Sequence, residues 1–177
     1  MIHEYEFKTL SLGIEGVGKT SLIRRFAMNQ FSDTYLPTLG VDFMVKDVRF
    51  DEANIKLHLF DTAGEEKFGP LRPLFYRKAS GALIIYDITR KSSFEKLDYW
   101  FNEVYINCGT IPYIIVGNKL DLEAQRAVSI TEATSYATKK GLDYVETSAK
   151  TGENVDILFE VLIEKILNTQ QPVREED

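Results

Sequence analysis

Gly13, Gly18, Lys19 and Thr20 stand in the order Gly-x-x-x-x-Gly-Lys-Thr within GIEGVGKT (13–20), a spacing whose chemistry is the capture of a phosphate chain. Glycines let such a loop curl so that successive amide N–H groups point inward at anionic oxygens. A helix expected to open near Lys19 adds unpaired amides and the positive end of its dipole. Lys19 has the reach for β- and γ-phosphates, and the Thr20 hydroxyl is a hard oxygen donor that suits Mg²⁺. The plainer reading is a glycine-rich turn with a chance lysine. It is disfavoured because a strand-like run precedes the motif and a helical pattern follows it.

A phosphate loop does not choose between ATP and GTP. Asn118-Lys119-x-Asp121 follows the apolar run YIIVGNK (113–119), at the strand end where open sheets of this class take their ligands. A carboxylate at Asp121 accepts both N–H donors on guanine's pyrimidine edge, and adenine has no matching pair. Lys119 can lay its aliphatic stem along the base. By itself NKLD also reads as a polar turn with a helix cap. Its place after a phosphate loop favours guanine.

These loops need elements that hold them. Apolar runs at FKTLSLGI (7–14), ALIIYD (82–87), YIIVGNK (113–119) and YVETSA (144–149) alternate with stretches of helical period. Being apolar on both parities, they predict strands covered on both faces, in a mostly parallel sheet wrapped by helices. VDFMVKDVRF and IKLHLF flank Asp51-Glu52-Ala53-Asn54, which predicts a hairpin. Ser92-x-x-Glu95 and Ser129-x-x-Glu132 match capping boxes. After Asn154, the residues Val155, Leu158, Phe159, Leu162 and Ile166 recur as one apolar helical stripe that belongs to the core.

The 177 residues suffice for one self-supporting domain, expected over 1–170, with a short flexible tail at 171–177. Hydrophobic residues make up 44% and charged residues 27%, a globular composition. A net charge of −6 without basic blocks argues against nucleic acid and against general attraction to anionic membrane. The single cysteine, Cys108, forms no internal disulfide and is expected to be a half-buried apolar residue in a reducing, cytoplasmic setting. No signal peptide, myristoylation site, membrane-spanning run or prenylation cysteine is present, so no lipid anchor is expected in this chain.

The chain resembles the Ras-like small GTPases, and most closely their Rab branch. The resemblance runs over nearly the whole sequence and rests on five motifs in family order: GIEGVGKT, Thr38 in PTLGVDF, DTAG at 61–64, NKLD at 118–121 and ETSAK at 146–150. It implies a three-layer α/β G domain: a six-stranded, mostly parallel sheet with one antiparallel edge strand and helices on both faces. It implies a GTP/GDP switch with Mg²⁺, with nucleotide contacts from Glu15, Gly16, Val17, Gly18, Lys19, Thr20 and Ser21 in the phosphate loop. Phe31 resembles the aromatic that packs on guanine, and Tyr35 the tyrosine that lies over the phosphates. Thr38 looks like the switch threonine that meets Mg²⁺ and γ-phosphate, Asp61 the acid that holds Mg²⁺ through water, and the Gly64 amide the γ-phosphate sensor. Mg²⁺ is thus expected at Thr20, Thr38 and Asp61. Base contacts are expected from Asn118, Lys119, Asp121 and Leu122, with Ser148, Ala149 and Lys150 closing over the base. Rab-like detail lies in LGVDF (39–43), FYRKA (75–79) and YDITRKSSF (86–94), and Phe43, Phe60 and Phe75 match the aromatic triad that meets Rab effectors. In IKLHLFD, strand parity leaves Phe60 on the side of Lys56 and His58, away from Leu57 and Leu59. The implied partners are effectors, exchange factors and activating proteins, the implied form a monomer, and the implied location the cytoplasm, peripheral to membranes through partners.

Two residues depart from the family pattern. Glu65 stands where a glutamine usually orients the attacking water, and Glu15 where a small residue is usual. Two unit charges about 6 Å apart at an effective dielectric of about 20 interact by roughly 3 kcal/mol, about a hundredfold in rate or affinity. Lys19 and Mg²⁺ offset part of this, and Glu15 can swing outward, so nucleotide binding is expected to survive. Catalysis is assigned to Glu65, Lys19, Thr38 and Gly64, with slow intrinsic turnover expected because ionised Glu65 lacks glutamine's donor. Three readings stay open: a slowly hydrolysing switch, a module that holds GTP persistently for effectors, and, disfavoured by NKLD and ETSAK, an ATP-dependent enzyme. Pro70 and Pro73 interrupt a stretch that is often helical in the family.

Overall fold

Alternating apolar segments order the chain into strands and helices that meet at one sheet. The computed structural model describes residues 3–38, 40–64 and 69–170. In order these are β1 (His3–Leu12), α1 (Lys19–Met28), β2 (Val41–Phe50), β3 (Ala53–Thr62), α2 (Pro73–Tyr76), β4 (Gly81–Asp87), α3 (Lys91–Glu95), α4 (Leu97–Cys108), β5 (Tyr113–Asn118), α5 (Ile130–Lys140), β6 (Asp143–Thr147) and α6 (Val155–Thr169), with a 3-10 turn at Leu120–Gln125. The sheet has six strands in the order β2-β3-β1-β4-β5-β6. Among the described residues only β2 and β3 pair antiparallel, which puts the antiparallel strand at one edge.

Strand parity builds the three layers. On β4, Leu83 and Ile85 join a core made with Leu22 and Phe26 of α1 and with Leu158, Phe159 and Leu162 of α6. Ala82, Ile84 and Tyr86 point the other way, into a core with Trp100 and Val104 of α4 and Ala133 and Ala137 of α5. Both faces of the central strands are therefore dry, which is why these runs are continuously apolar. The α6 stripe is buried as its spacing requires, and Phe159 stacks on Phe26 at 3.7 Å between ring centroids.

Several boundaries differ from the sequence expectation. β1 starts at His3 because its backbone pairs with β3 from His3↔Ala53 onward, although its first residues are exposed and carry no apolar signal. The hairpin closes with Phe50 opposite Ala53, so the turn is Asp51-Glu52 alone, with Asp51 in the left-handed region at φ 50°. β6 is half-buried over most of its length, as an edge strand without a neighbour on one side. Ser129 caps α5 as expected, accepting from the Glu132 N–H at 3.1 Å. The Glu132 carboxylate pairs with Lys91. Ser92 is not a cap: α3 begins one residue earlier, and buried Ser93 instead accepts from the Asp87 amide at 2.9 Å and donates to the Arg90 carbonyl at 2.6 Å.

Pro73 occupies the first position of α2, where its missing N–H costs nothing. The preceding residue, Arg72, is only 1% exposed. Its Nε donates to Glu103 Oε1 at 2.8 Å and its Nη2 to Glu103 Oε2 and Tyr99 Oη, both at 3.0 Å, with the guanidinium 4.8 Å from the Trp100 ring. This ion pair fastens α2 to α4. Removing the carboxylate leaves a buried cation short of its main counter-charge, so Glu103→Ala is expected to cost about 3 kcal/mol, read as a lower denaturant midpoint. Glu103→Gln, which keeps an acceptor, is expected to cost less.

Candidate functional site

The loop after β1 and the loops after β3, β5 and β6 converge beyond the carboxyl ends of the strands on a cleft of about 370 Å³. Glu15, Gly16, Gly18, Lys19, Thr20 and Ser21 line one end, and Asn118, Lys119, Asp121, Leu122, Ala149 and Lys150 the other. Phe31, Tyr35, Thr38 and Gly64 close the side. Val17 and Ser148 do not line it. The Val17 side chain is fully buried in the core, leaving only its main chain near the cleft, and Ser148 is buried behind Asp121. Glu65 lies outside the described residues, as does the expected 171–177 tail.

The phosphate-loop backbone has the expected form. Gly18 sits at φ 98°, and a Cβ there would lie 2.3 Å from Asn118 Nδ2, so the position needs glycine on two counts. Lys19, 6% exposed, donates to the Gly13 carbonyl at 2.8 Å and the Ile14 carbonyl at 3.0 Å. Burial lowers its pKa to about 8, against the opposing pull of Asp61. An ammonium so desolvated is a receptor for an anion. Gly64 packs on this loop so closely that a Cβ would fall 2.4 Å from the Glu15 nitrogen.

Thr20, Thr38 and Asp61 are brought together from three separate segments. Asp61 Oδ2 accepts from Thr20 Oγ1 and, at 3.2 Å, from Thr38 Oγ1, while the two hydroxyls lie 2.9 Å apart. Among the described residues Asp61 Oδ1 is buried with no hydrogen-bond partner, and burial raises this carboxyl's pKa despite the Thr20 and Lys19 contacts. An orphaned carboxylate oxygen beside two hydroxyls fits a small hard cation. Among the described residues no three His, Cys, Asp or Glu side chains cluster, so an ion here would draw its other ligands from water and phosphate.

At the far end Asn118 is the hub. Its Nδ2 donates to the Val17 carbonyl at 3.0 Å, and its Oδ1 accepts from Thr147 Oγ1 at 3.1 Å and the Ala149 N–H at 3.3 Å. One buried amide thus ties the phosphate loop to the ETSAK loop. Ser148 Oγ donates to Asp121 Oδ1 at 2.6 Å and orients that carboxylate. Lys119, in the left-handed region at φ 71°, pairs with Asp87 Oδ2 at 2.7 Å.

Two contacts had no sequence signal. The exposed Glu15 side chain is not swinging free: Tyr35 Oη donates to its Oε1 at 2.6 Å, spanning the mouth of the cleft. Arg90, after β4, donates from Nη2 to the Glu15 carbonyl at 2.6 Å and braces the phosphate loop from outside. The aromatic triad is not a core cluster. Phe43 is 58% exposed and stacks on its cross-strand partner Phe60 at 5.7 Å, and Phe60 and Phe75 are half-buried.

The Ras family model matches residues 8–168. The chain is 42% identical over 166 residues to Ras-related protein RABA5b of Arabidopsis thaliana, covering 93% of this chain and 76% of that protein. It is 42% identical over 168 residues to Ras-related protein Rab-21 of Homo sapiens, covering 94% and 75%. Ras-related protein Rab-13 of Bos taurus is 40% identical over 166 residues, covering 93% and 82%. The chain therefore belongs to the Ras family and is a Rab-like small GTPase, a GTP hydrolase built as a molecular switch.

Proposed function

We propose that this cleft binds GTP and GDP with Mg²⁺ and that GTP is hydrolysed slowly. The observation that carries the reading is the meeting of the Thr20 and Thr38 hydroxyls with a buried, half-satisfied Asp61 carboxylate, beside a buried ammonium at Lys19. In it, Lys19 and the loop amides of residues 15–21 hold the phosphates. Thr20, Thr38 and Asp61 hold Mg²⁺, which when bound neutralises charge on the phosphates. Gly64, pressed against the phosphate loop, senses the γ-phosphate through its amide. Phe31, Lys119, Leu122 and the 148–150 loop enclose the base, and Asp121 selects it. Thr38 and Gly64 order with the γ-phosphate and release without it, so their segments form a nucleotide-controlled surface. Effectors, exchange factors and activators meet that surface, the effectors through Phe43, Phe60 and Phe75, at membranes to which the domain (1–170) is peripheral.

Slow turnover follows from Glu65. An ionised carboxylate repels the γ-phosphate and cannot donate to it, whereas a protonated one has both a donor and an acceptor. The tie of Glu15 to Tyr35 adds a second obstacle, since it occupies the space an activator's inserted arginine would need. The test is to identify the nucleotide retained on purification and follow its decay under single turnover with Mg²⁺. Turnover is expected to rise on mild acidification, and Glu65→Gln to speed it by up to about a hundredfold while flattening the pH response. Turnover that falls with acid and slows in Glu65→Gln would make Glu65 a general base instead. Retained GTP that does not decay in the parent would identify a persistently GTP-bound effector module.

A further inference from the structure

Arg24 and Arg25 are adjacent on α1, yet they do different things. Arg24 is exposed, whereas Arg25 is half-buried and crosses to the loop after β6. Its Nε donates to the Ala149 carbonyl at 2.8 Å and its Nη2 to the Lys150 carbonyl at 2.5 Å, a planar fork on two consecutive carbonyls. The fork is itself held from its third side. Nη1 donates to Asn29 Oδ1 at 3.1 Å and to the Asn29 carbonyl at 3.4 Å, and Asn29 is fixed in the left-handed cap of α1 at φ 52°. Gly152 lies close against the arginine stem, where even an added Cβ would sit 3.6 Å from Arg25 Cδ.

Pinning a carbonyl also aims an amide. The peptide unit is planar and trans, so the Ala149 C=O and the Lys150 N–H point in opposite directions. With the Ala149 oxygen turned toward Arg25, the Lys150 N–H turns away from α1, on a loop whose Ala149 and Lys150 line the cleft. The next unit behaves as the geometry requires: the Lys150 oxygen goes to Arg25 and the Thr151 N–H goes the other way, to Ser148 Oγ at 3.0 Å. A main-chain donor on this cleft-lining loop, next to the Ser148 that bonds Asp121, is placed to meet an acceptor on a ligand. On guanine the acceptor next to the edge that Asp121 reads is O6.

We propose that Arg25 is a positioning residue for base recognition, orienting the 149–150 main chain so that its amide reads the guanine O6. This rests on the reading of the cleft as a guanine site and adds a residue that touches neither base nor phosphate. The competing role for Arg25 is a plain helix-end cation that favours the last turn of α1. The two roles separate with three nucleotides. Inosine diphosphate lacks the 2-amino group and reports on Asp121. 2-Aminopurine riboside 5′-diphosphate lacks O6 and, with it, the N1–H, so it senses the loop amide and Asp121 together; with inosine diphosphate as the control for Asp121, the part of its affinity gap that changes on replacing Arg25 reports on the loop amide.

The experiment measures affinities of all three, and GDP release, for parent, Arg25→Met and Arg25→Lys, with thermal unfolding alongside. In Arg25→Met the preference for GDP over the 2-aminopurine nucleotide is expected to shrink about tenfold, the scale of one hydrogen bond to a neutral group. GDP release quickens by a similar factor, while the preference for GDP over inosine diphosphate stays at the parent value. Arg25→Lys, a single-point donor that cannot span both carbonyls, is expected to fall between, and it carries the test if the methionine variant does not fold. Both preferences unchanged, or both falling together, overturns the proposal, as does full rescue by lysine, which would make charge alone the agent. A parent protein without preference for GDP would instead overturn the reading of the cleft.

Discussion

Lys19→Met is expected to weaken nucleotide binding about a hundredfold while leaving the nucleotide-free protein about as stable as before. The two halves have one cause. Lys19 is buried and already spends two donors on the Gly13 and Ile14 carbonyls, leaving its charge and a third donor for a phosphate oxygen. A charge-assisted bond contributes about 1.5–3 kcal/mol, so losing the one to phosphate together with the buried charge amounts to roughly 3 kcal/mol, or about 10² in affinity. In the empty cleft the same ammonium is a liability: burial depresses its pKa from 10.5 to about 8, a penalty on the charged form of order 3 kcal/mol. Methionine fills a similar straight volume without charge, so that penalty is removed, offset by the loss of the ammonium's bonds to the Gly13 and Ile14 carbonyls. Calorimetric titration with GDP and thermal unfolding of the free variant check both halves. Nucleotide affinity within tenfold of the parent would remove Lys19 from the phosphate site.

Asp121→Asn is expected to invert base preference, lowering affinity for GDP by about a thousandfold and raising that for xanthosine diphosphate. Guanine offers two donors to Asp121, N1–H and the 2-amino group, and a carboxylate accepts both. The Ser148 hydroxyl donates to Asp121 Oδ1 at 2.6 Å, so in the asparagine variant the amide oxygen is held at that position and the NH₂ takes the place of Oδ2. There it faces a donor on guanine but the C2 carbonyl on xanthine. One charge-assisted bond is lost and one donor is left opposed to another, together about 4 kcal/mol. Competition between the two diphosphates for the parent and variant reads the ratio directly. An unchanged guanine preference would place base selection elsewhere in the cleft.

Both substitutions act at positions that local sequence marks, and this separates what was legible from what was not. The phosphate loop, the NKLD acid, the parity of β4 and the α6 stripe are relations among residues a few positions apart, and the backbone's own periods of 2 and 3.6 turn such spacing into direction. The order of the elements and the burial of both faces of β4 followed from them. Strand ends were less legible. β1 runs to His3 because β3 supplies hydrogen-bond partners there, and a partner strand leaves no mark on the residues it extends. Ser92 has the residue type and spacing of a cap, but Asp87 and Ser93 bond each other and the helix starts at Lys91, two positions sooner than a Ser92 cap would start it.

The sequence by itself determined the kind of ligand and the class of fold, because phosphate capture and strand burial are written in short-range patterns. Only the tertiary structure decided which of two neighbouring arginines orders the base loop, since the contacts from Arg25 to Ala149 and Lys150 span 124 and 125 residues. It likewise decided that Arg72 is buried against Glu103, that Arg90 braces the phosphate loop, and that Tyr35 bonds Glu15. A long cationic or phenolic side chain has the same composition and local spacing whether it ends in water or in a carbonyl pair. The packed chain alone sets which distant acceptors come within 3 Å, and with them the positions of the groups that meet the ligand.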